Sequence, residues 1–399
     1  MDPIAIRRIL EAELTRTGGL LRLRPAWVAR DFLRPGKRLG LREDQYAVGP
    51  RGFICERWLG SETEAENTIK HENEGLSFLE IEGQDLLLRD VVAACPALLM
   101  GDSYARTHQS LGRLAKIYDF ESRIFFHYHQ TADDARKVGR NSKEEAYFYP
   151  DGVEMGRHPE TFFGVHPYIV REKRQVELLL PLLQSWDSDR ILMHSRAYLN
   201  VPGEGFHLPS GLLHAPGTAL TIELQEPSDV MGVLQAVVDG VKVSKRLLLH
   251  HVPPADAQRL GERAALNQLL WDENGDPFFY EHHHTPPVAI AVGVPGVSAQ
   301  WIYYNTTKFS GKRFVLAPGA HFVDRERGVH NVLIWKGDGR MDGLPIGGGR
   351  FGLDEVLVPY QKAMAGVRYE NTGSTPLEVL AFFGPDLNNE DVPYLRPPA

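Results

Sequence analysis

The sequence predicts a mainly β protein that folds into two jelly-roll barrels, with a short helical insertion in the first barrel and helices at the N-terminus and in the linker. Most of the chain consists of short alternating segments separated by turns rich in Gly, Pro and Asn, which is typical of antiparallel barrels. Two stretches have helical spacing instead, and 399 residues are enough for two hydrophobic cores. We therefore expect an N-terminal barrel over residues 1–245 and a C-terminal barrel over residues 246–399.

The first barrel is preceded by an amphipathic helix in residues 1–14, which lacks the apolar core of a signal peptide. Gly and Pro interrupt residues 26–53, which we interpret as short strands. The next segment places Glu56 and Trp58 in a strand that leads into a polar loop, and a later strand brings Lys116 to the barrel. These three side chains are candidates for substrate binding, although core packing is an equal alternative for the tryptophan.

Two histidines on one strand are the first sign of a metal site. His127 and His129 are separated by a single residue at the end of an aromatic strand, so both imidazoles lie on the same face. A polar loop follows, and then a second strand in which Lys143 and Glu145 share one face while Glu144 lies on the other. Glu145 is therefore the expected carboxylate ligand.

A third histidine follows the helical insertion, which we place in residues 161–186 because apolar residues there recur at helical spacing. His214 comes after a turn marked by Pro209 and Gly211, and an alternating strand follows it. Small barrels of the cupin type present their last metal ligand on a Pro-x-Gly-x-x-His turn, because the glycine lets the backbone bring the imidazole to the barrel mouth.

Together, His127, His129, Glu145 and His214 predict a site for one metal ion per chain. Three imidazoles and a carboxylate form a borderline nitrogen and oxygen set that suits Zn²⁺, with Fe²⁺, Mn²⁺ and Ni²⁺ as alternatives. Such a set leaves open positions for water or a substrate.

The linker and the second barrel follow. Residues 253–273 return to helical spacing, and the short strands after them indicate a second antiparallel barrel. Residues 316–343 repeat the order of a cupin's first motif, but the partner segment lacks the histidine of the second motif. We expect this barrel to be a metal-free structural partner. Three residues of the repeated segment form the alternative metal set: His321, Asp324 and His330.

Charge and composition limit the partners. A net charge of −8, with scattered basic residues, argues against nucleic acid or an anionic membrane as the main partner. No apolar run reaches membrane-spanning length. Cys55 and Cys95 could form at most one bridge, so a reducing cytoplasm is the expected compartment. We expect a small-molecule partner and consider a homodimer possible.

These segments, in this order, resemble the type I phosphomannose isomerases, zinc-dependent bicupins that interconvert mannose 6-phosphate and fructose 6-phosphate. The similarity lies in ERWLGSETEA, LAKIYDFESRIFFHYHQTADDA, SKEEAYFY, TFFGVHPYIVREKRQVELLLPLL and FHLPSGLLHAPGTALTIELQEPSD. It spans roughly residues 50–235 and is much weaker beyond them.

The resemblance implies zinc bound by the four predicted ligands, with His127 in place of a family glutamine. It also implies catalytic roles for Lys143, beside the glutamate ligand, and for Asp229, beyond the last ligand. The family carries an arginine four residues after this aspartate, where the present chain has Val233. We therefore expect poor handling of mannose 6-phosphate unless another basic residue, such as one from the loop at residues 136–140, reaches the pocket.

The predicted function is thus a metal-dependent aldose–ketose isomerase acting on a sugar or sugar phosphate. In this chemistry Lys143 would carry the proton, with Asp229 as an alternative base. Two other classes stay open. One is another cupin metalloenzyme, such as an iron-dependent oxygenase, and the other is a non-catalytic sugar-binding bicupin, which the missing arginine favours.

Overall fold

The strands of the computed structural model, which describes residues 1–396, form four larger sheets and one two-stranded ribbon. The first fifteen strands are β1 (Leu21–Arg24), β2 (Ala26–Arg30), β3 (Phe53–Leu59), β4 (Phe78–Leu79), β5 (Leu114–Tyr118), β6 (His127–Tyr128), β7 (Glu145–Phe148), β8 (Glu160–Phe163), β9 (Arg196–Leu199), β10 (Gly205–Leu208), β11 (His214–Ala215), β12 (Thr221–Gln225), β13 (Gly232–Val233), β14 (Val237–Val238) and β15 (Val241–Lys242). The remaining strands are β16 (His284–Thr285), β17 (Val288–Ile290), β18 (Val297–Tyr303), β19 (Ser310–Leu316), β20 (His321–Asp324), β21 (His330–Lys336), β22 (Asp338–Met341), β23 (Leu344–Gly347), β24 (Glu355–Val358), β25 (Val367–Asn371) and β26 (Leu377–Phe383).

The helices lie mainly outside the sheets. They are α1 (Pro3–Thr17), α2 (Leu88–Ala94), α3 (Pro96–Met100), α4 (Asp102–Thr107), α5 (Ala132–Lys137), α6 (Pro167–Arg171), α7 (Gln175–Ser185), α8 (Pro254–Leu260), α9 (Arg263–Leu266), α10 (Trp271–Asn274), α11 (Phe279–His283) and α12 (Tyr360–Ala365). Short 3₁₀ turns occupy Glu43–Gln45, Gly49–Arg51, Arg190–His194 and Lys245–Leu248. Within residues 1–396, no helix is both long and apolar enough to cross a membrane.

Two facing sheets form the first barrel. The seven-stranded sheet has the order β16, β10, β7, β12, β5, β3, β2, and the five-stranded sheet has the order β13, β6, β11, β8, β9. Aromatic side chains such as Tyr118, Tyr147 and Phe163 are buried between them. This arrangement brings β6 and β11 of one sheet opposite β5, β7 and β12 of the other, and these five strands carry the candidate site.

The second barrel pairs an eight-stranded sheet with a four-stranded sheet, in the orders β17, β18, β19, β26, β21, β24, β1, β4 and β20, β25, β22, β23. Its interior is filled by apolar side chains that include Phe314, Phe322 and Tyr369. Strand β1 belongs to this sheet, because Leu21 pairs with Leu357 of β24. Strand β16, which follows residue 245 in the chain, in turn pairs with β10 of the first barrel. Each barrel therefore contains a strand from the other side of residue 245, and the division at this residue stays a prediction.

The two large sheets pack against each other face to face. Phe148 and Ile222 of the first barrel contact a cluster that includes Tyr303, Leu333 and Phe382 of the second. Full burial of such side chains contributes about 1.5–3 kcal/mol each. The four sheets therefore form successive layers with apolar side chains packed between neighbouring sheets.

The predicted mainly β architecture of two barrels, with an N-terminal helix, a helical insertion and linker helices, is confirmed. No pattern in the sequence predicted helices α2 to α4. Pro96 and Gly101 divide this region into helices of only five to seven residues, which are too short to show a helical period. Helix α12 was likewise not predicted, and it is followed by Gly366, whose φ is 101°.

Candidate metal centre

Three histidine side chains converge inside the first barrel. His127 on β6 pairs directly with His214 on β11, and His129 lies just beyond the end of β6. Each offers a ring nitrogen, and these nitrogens lie within 4.8 Å of one another. All three residues are buried, with at most 6% exposure. The turn before His214 is held in place because the amide of Gly211, whose φ is 84°, donates to the carbonyl of His129 at 2.7 Å.

Hydrogen bonds to the main chain set the orientation of all three imidazoles. In each ring, Nδ1 lies at hydrogen-bonding distance from a carbonyl oxygen: His127 at 2.8 Å from Phe125, His129 at 2.6 Å from Val230, and His214 at 3.0 Å from Leu212. An Nδ1–H that donates to a carbonyl leaves the lone pair on Nε2, which is the usual arrangement of a metal-binding histidine. The Nε2 atoms therefore face the common centre.

Glu145 on β7 closes the cluster from the opposite sheet. Its Oε2 is 3.1 Å from Nε2 of His129, and its Oε1 is 3.0 Å from Nε2 of His214. Tyr147 Oη donates to the same carboxylate. Within the described residues, Nε2 of His214 is buried and makes no hydrogen bond, whereas Oε2 of Glu145 has Nζ of Lys143 at 2.8 Å. A buried imidazole nitrogen without a hydrogen bond, directed at the same point as the other donor atoms, fits a divalent ion such as Zn²⁺.

The protonation states of the cluster also fit a metal. Burial and the neighbouring histidines lower the pKa of His127 well below its usual value, and burial and Lys143 lower the pKa of His129 to about 3. Burial would raise the pKa of Glu145, but Lys143 and the histidines outweigh it and lower the pKa well below its usual value. His127 and His129 are therefore neutral and the carboxylate is ionised, as metal ligands must be.

Two lysines and a glutamate lie beside the cluster. Lys143 Nζ is 2.8 Å from Oε2 of Glu145 and 3.4 Å from Oε1 of Glu223, while Lys116 Nζ is 3.2 Å from the same Glu223 oxygen. Glu223 is 3% exposed. Sequence reasoning missed Glu223: the alternation of β12 puts it on the polar face, but that face points into the barrel and not toward solvent.

Burial and charge determine the proton affinities of these groups. Burial and the Glu145 carboxylate raise the pKa of Glu223, and the two lysines do not fully offset them. Burial would lower the pKa of Lys143, but the carboxylates of Glu145 and Glu223 outweigh it and raise the pKa. Glu223 is thus the carboxyl group of this site that binds a proton most readily.

A second charged group lines the same pocket, next to Lys116, whose Nζ is 3.9 Å from Oε2 of Glu56. Arg30 at the end of β2 lies between the carboxylates of Glu56 and Asp229. Burial would raise the pKa of Glu56, but Arg30 and Lys116 outweigh it and lower the pKa to about 2. Burial likewise opposes ionisation of Asp229, and Arg30 again outweighs it and lowers the pKa. Both carboxylates are therefore ionised at neutral pH.

Neither Trp58 nor Val233 lines the pocket, although Val233 pairs with His127 between β13 and β6. The Trp58 ring packs with Val28 and Leu114, and only its Nε1–H reaches toward the site, donating to Glu56 at 2.7 Å. Val233 is fully buried in an apolar cluster under the helical insertion. An arginine at position 233 would therefore have to enter a hydrophobic core.

The metal cluster lies in a small cavity of about 40 Å³, which shares lining residues with a much larger cleft of about 1440 Å³. Phe32, Phe125, Asp229 and Met231 line both. Arg140, from the loop at residues 136–140, lines the larger cleft and forms a 3.2 Å ion pair with Glu66. The small cavity admits only one end of an elongated molecule, and the remainder would occupy the cleft.

The alternative metal set of the second barrel is not brought together. Two further groups of His, Asp and Glu side chains in the described residues lie within metal-binding distance of one another, and neither contains His321, Asp324 or His330. Near Asp324, Lys312 Nζ is 2.5 Å from Glu326, so a protein cation neutralises the carboxylate there.

Comparisons with known proteins agree with this architecture. No known family model matches the chain, and no curated protein matches it. Among solved structures, mannose 6-phosphate isomerase from Bacillus subtilis is similar with a TM-score of 0.58 and 16% identity over 91% of this chain and 99% of that chain. A variant of phosphomannose isomerase from Salmonella typhimurium gives 0.62 and 11% over 92% and 100%, and a mannose 6-phosphate isomerase bound with zinc and yttrium gives 0.60 and 11% over the same shares. The resemblance to phosphomannose isomerases is thus confirmed for the fold across nearly the whole chain.

Proposed function

We propose that this protein is a metal-dependent aldose–ketose isomerase acting on a sugar or a sugar phosphate. The observation that carries the proposal is the convergence of three buried histidine nitrogens and one carboxylate on a single point, next to two lysines and a buried glutamate. The fold shared with phosphomannose isomerases, one of them solved with bound zinc, supports the reaction class.

The ligands in this proposal are His127, His129, Glu145 and His214, and Zn²⁺ is the proposed ion. A bound divalent cation would act as a Lewis acid on neighbouring sugar oxygens, which contributes several kcal/mol to stabilising negative charge in the transition state. The four ligands lie on or next to β6, β7 and β11, and main-chain carbonyls orient the three imidazoles.

The proton transfer between C1 and C2 is assigned to the groups beside the ligands. Lys143 and Glu223 lie 3.4 Å apart, and the lysine also contacts Glu145, so both are within reach of a substrate carbon held near the ligands. The raised pKa of Glu223 keeps this carboxyl group closer to neutral pH than an ordinary glutamate, which suits a group that must accept and return a proton. Asp229 is a weaker candidate base, because Arg30 engages both of its oxygens.

A second candidate function is non-catalytic sugar binding. It is favoured by Val233, since the family arginine associated with catalysis has no equivalent at this position. A binding protein would keep the pocket and the ion and show no turnover. An iron-dependent oxygenase would instead prefer iron and consume oxygen.

The test begins with metal analysis of the purified protein by mass spectrometry. The protein is then screened with aldoses and their 6-phosphates for ketose formation, before and after metal removal and reconstitution. We expect one metal equivalent per chain and metal-dependent ketose formation from at least one aldose. The His214→Ala variant is the control for contaminating isomerase. Tight sugar binding without turnover would favour the binding protein, and oxygen uptake with iron would favour the oxygenase.

A further inference from the structure

Arg30 is a buried arginine in the wall of the candidate site that no sequence motif singled out. It is 2% exposed, and its guanidinium group lies near the faces of Phe32 and Trp58, with its carbon 5.9 Å from each ring centre. With position 233 occupied by a valine in an apolar core, Arg30 is the arginine that lines this pocket.

All five N–H groups of this guanidinium are used within the protein. Nε donates to Oε1 of Glu56 at 2.7 Å, and Nη2 donates to Oε2 of Glu56 at 3.2 Å and to Oδ1 of Asp229 at 3.1 Å. Nη1 donates to Oδ2 of Asp229 and to Oδ1 of Asn67, each at 3.1 Å. An arginine has five donors in a fixed planar arrangement. Arg30 therefore has no donor left for a phosphate group.

The two carboxylates do retain acceptor capacity. Glu56 Oε2 also accepts from Trp58 Nε1 at 2.7 Å, and Asp229 Oδ2 also accepts from the amide of Glu66 at 2.9 Å. An ionised carboxylate has about four acceptor sites, and each of these two uses three. One site remains on Oε1 of Glu56 and one on Oδ1 of Asp229, and both side chains line the pocket. This wall therefore offers acceptors for hydroxyl groups, and its guanidinium group offers no free donor to an anion.

We propose that Arg30 is a positioning residue, which fixes Glu56 and Asp229 as acceptors for two sugar hydroxyl groups and makes the pocket select a neutral hydroxylated carbon chain over a phosphorylated one. The inference rests on the proposed function, because it concerns the substrate of the same site. Its physical basis is that two like charges can remain ionised in one buried wall only with a shared cation between them.

The test compares binding of D-mannitol and D-mannitol 1-phosphate to the metal-loaded protein by calorimetry, which needs no turnover. The wild-type protein should bind mannitol more tightly than its phosphate. Arg30→Gln should keep one metal per chain and weaken mannitol binding at least tenfold, while Arg30→Lys should retain part of the affinity. If an aldose is turned over, KM should rise in Arg30→Gln by a larger factor than kcat falls.

Arg57→Gln is the matched control. Arg57 is also buried and donates to two carboxylates, Asp354 and Glu355, but it lies on the side facing the second barrel. The Arg57→Gln variant should lose stability, as Arg30→Gln does, but should keep the wild-type affinity for mannitol. If Arg30→Gln does not fold, the mannitol affinities of Arg30→Lys and Glu56→Gln are compared with that of the wild-type protein instead.

Three outcomes overturn the proposal: unchanged affinity in the folded Arg30 variants, equal weakening in Arg57→Gln, or tighter binding of the phosphate by the wild-type protein. Failure of the proposed function is recognised separately. An Arg30-dependent mannitol affinity without ketose formation would leave the inference standing and remove the isomerase. Ketose formation that does not depend on Arg30 would support the isomerase and overturn the inference about Arg30.

Discussion

Replacing Glu144 with glutamine should weaken the attachment of the ligand-bearing strand to the second barrel. Glu144 points away from the metal site and binds Nε2 of His207 at 2.9 Å, Nζ of Lys308 at 3.1 Å and Oγ1 of Thr306 at 2.5 Å. Burial opposes its ionisation, but these partners outweigh burial and lower the pKa of Glu144 from 4.5 to about 2. That difference corresponds to about 3 kcal/mol of stability at neutral pH.

The sign of the pH dependence follows from the lowered pKa. The folded state favours the ionised form of Glu144 more than the unfolded state does. The contribution of Glu144 to the free energy of unfolding is therefore complete above the unfolded pKa near 4.5, and it is lost as the pH falls through about 2. Urea denaturation of wild type and Glu144→Gln should therefore differ by about 3 kcal/mol at pH 7, and the difference should shrink below pH 4.5.

Glu390→Gln is the control for this measurement. Glu390 pairs with Arg327 at 2.7 Å, but its side chain is 81% exposed, and exposed pairs contribute about 0–1 kcal/mol. The reasoning would be refuted if Glu144→Gln behaved like Glu390→Gln at pH 7, or if the wild-type advantage grew as the pH was lowered.

Three further predictions concern the two barrels. His214→Ala should lose the bound metal while remaining folded, which metal analysis and circular dichroism would check, and full retention of metal would show that the ligand assignment is wrong. His330→Ala should keep the wild-type metal content, because the second barrel is proposed to be metal-free, and loss of a second equivalent would contradict this. Val233→Arg should destabilise the protein by about 3–5 kcal/mol by placing an unpaired charge in an apolar core, without improving turnover of mannose 6-phosphate. Unfolding and kinetic measurements check this, and a stable variant with faster turnover would refute it.

The alternation of side chains between the two faces of a β-strand made part of the site predictable. Alternation on the second motif put Glu145 on the face of Lys143 and Glu144 on the opposite face, and the structure has this arrangement. The spacing of His127 and His129 likewise placed both rings on one side. These inferences depend only on local geometry, so a sequence is sufficient for them. The ligand roles remain proposals.

Long-range packing made the rest unpredictable. Arg30 lies almost 200 residues before Asp229, and only the closure of the barrel brings the two side chains together. Glu223 alternates with Ile222 and Leu224 as a solvent-facing residue would, because the pattern does not distinguish solvent from a polar barrel interior. Val233 occupies a position that the family resemblance associates with catalysis, yet its side chain is buried in an apolar cluster. The resemblance alone did not predict this packing.

The position of β1 has a consequence for how the chain can assemble. Strand β24 has β21 on one side and β1 on the other, and β1 comes from the beginning of the polypeptide. During synthesis the second barrel cannot complete its large sheet from newly made residues alone, because its edge must find a strand made more than 300 residues earlier. Contacts of such high sequence separation slow folding. Until β1 arrives, β24 presents an apolar open edge, EVLV, of the kind that pairs with other chains and promotes aggregation.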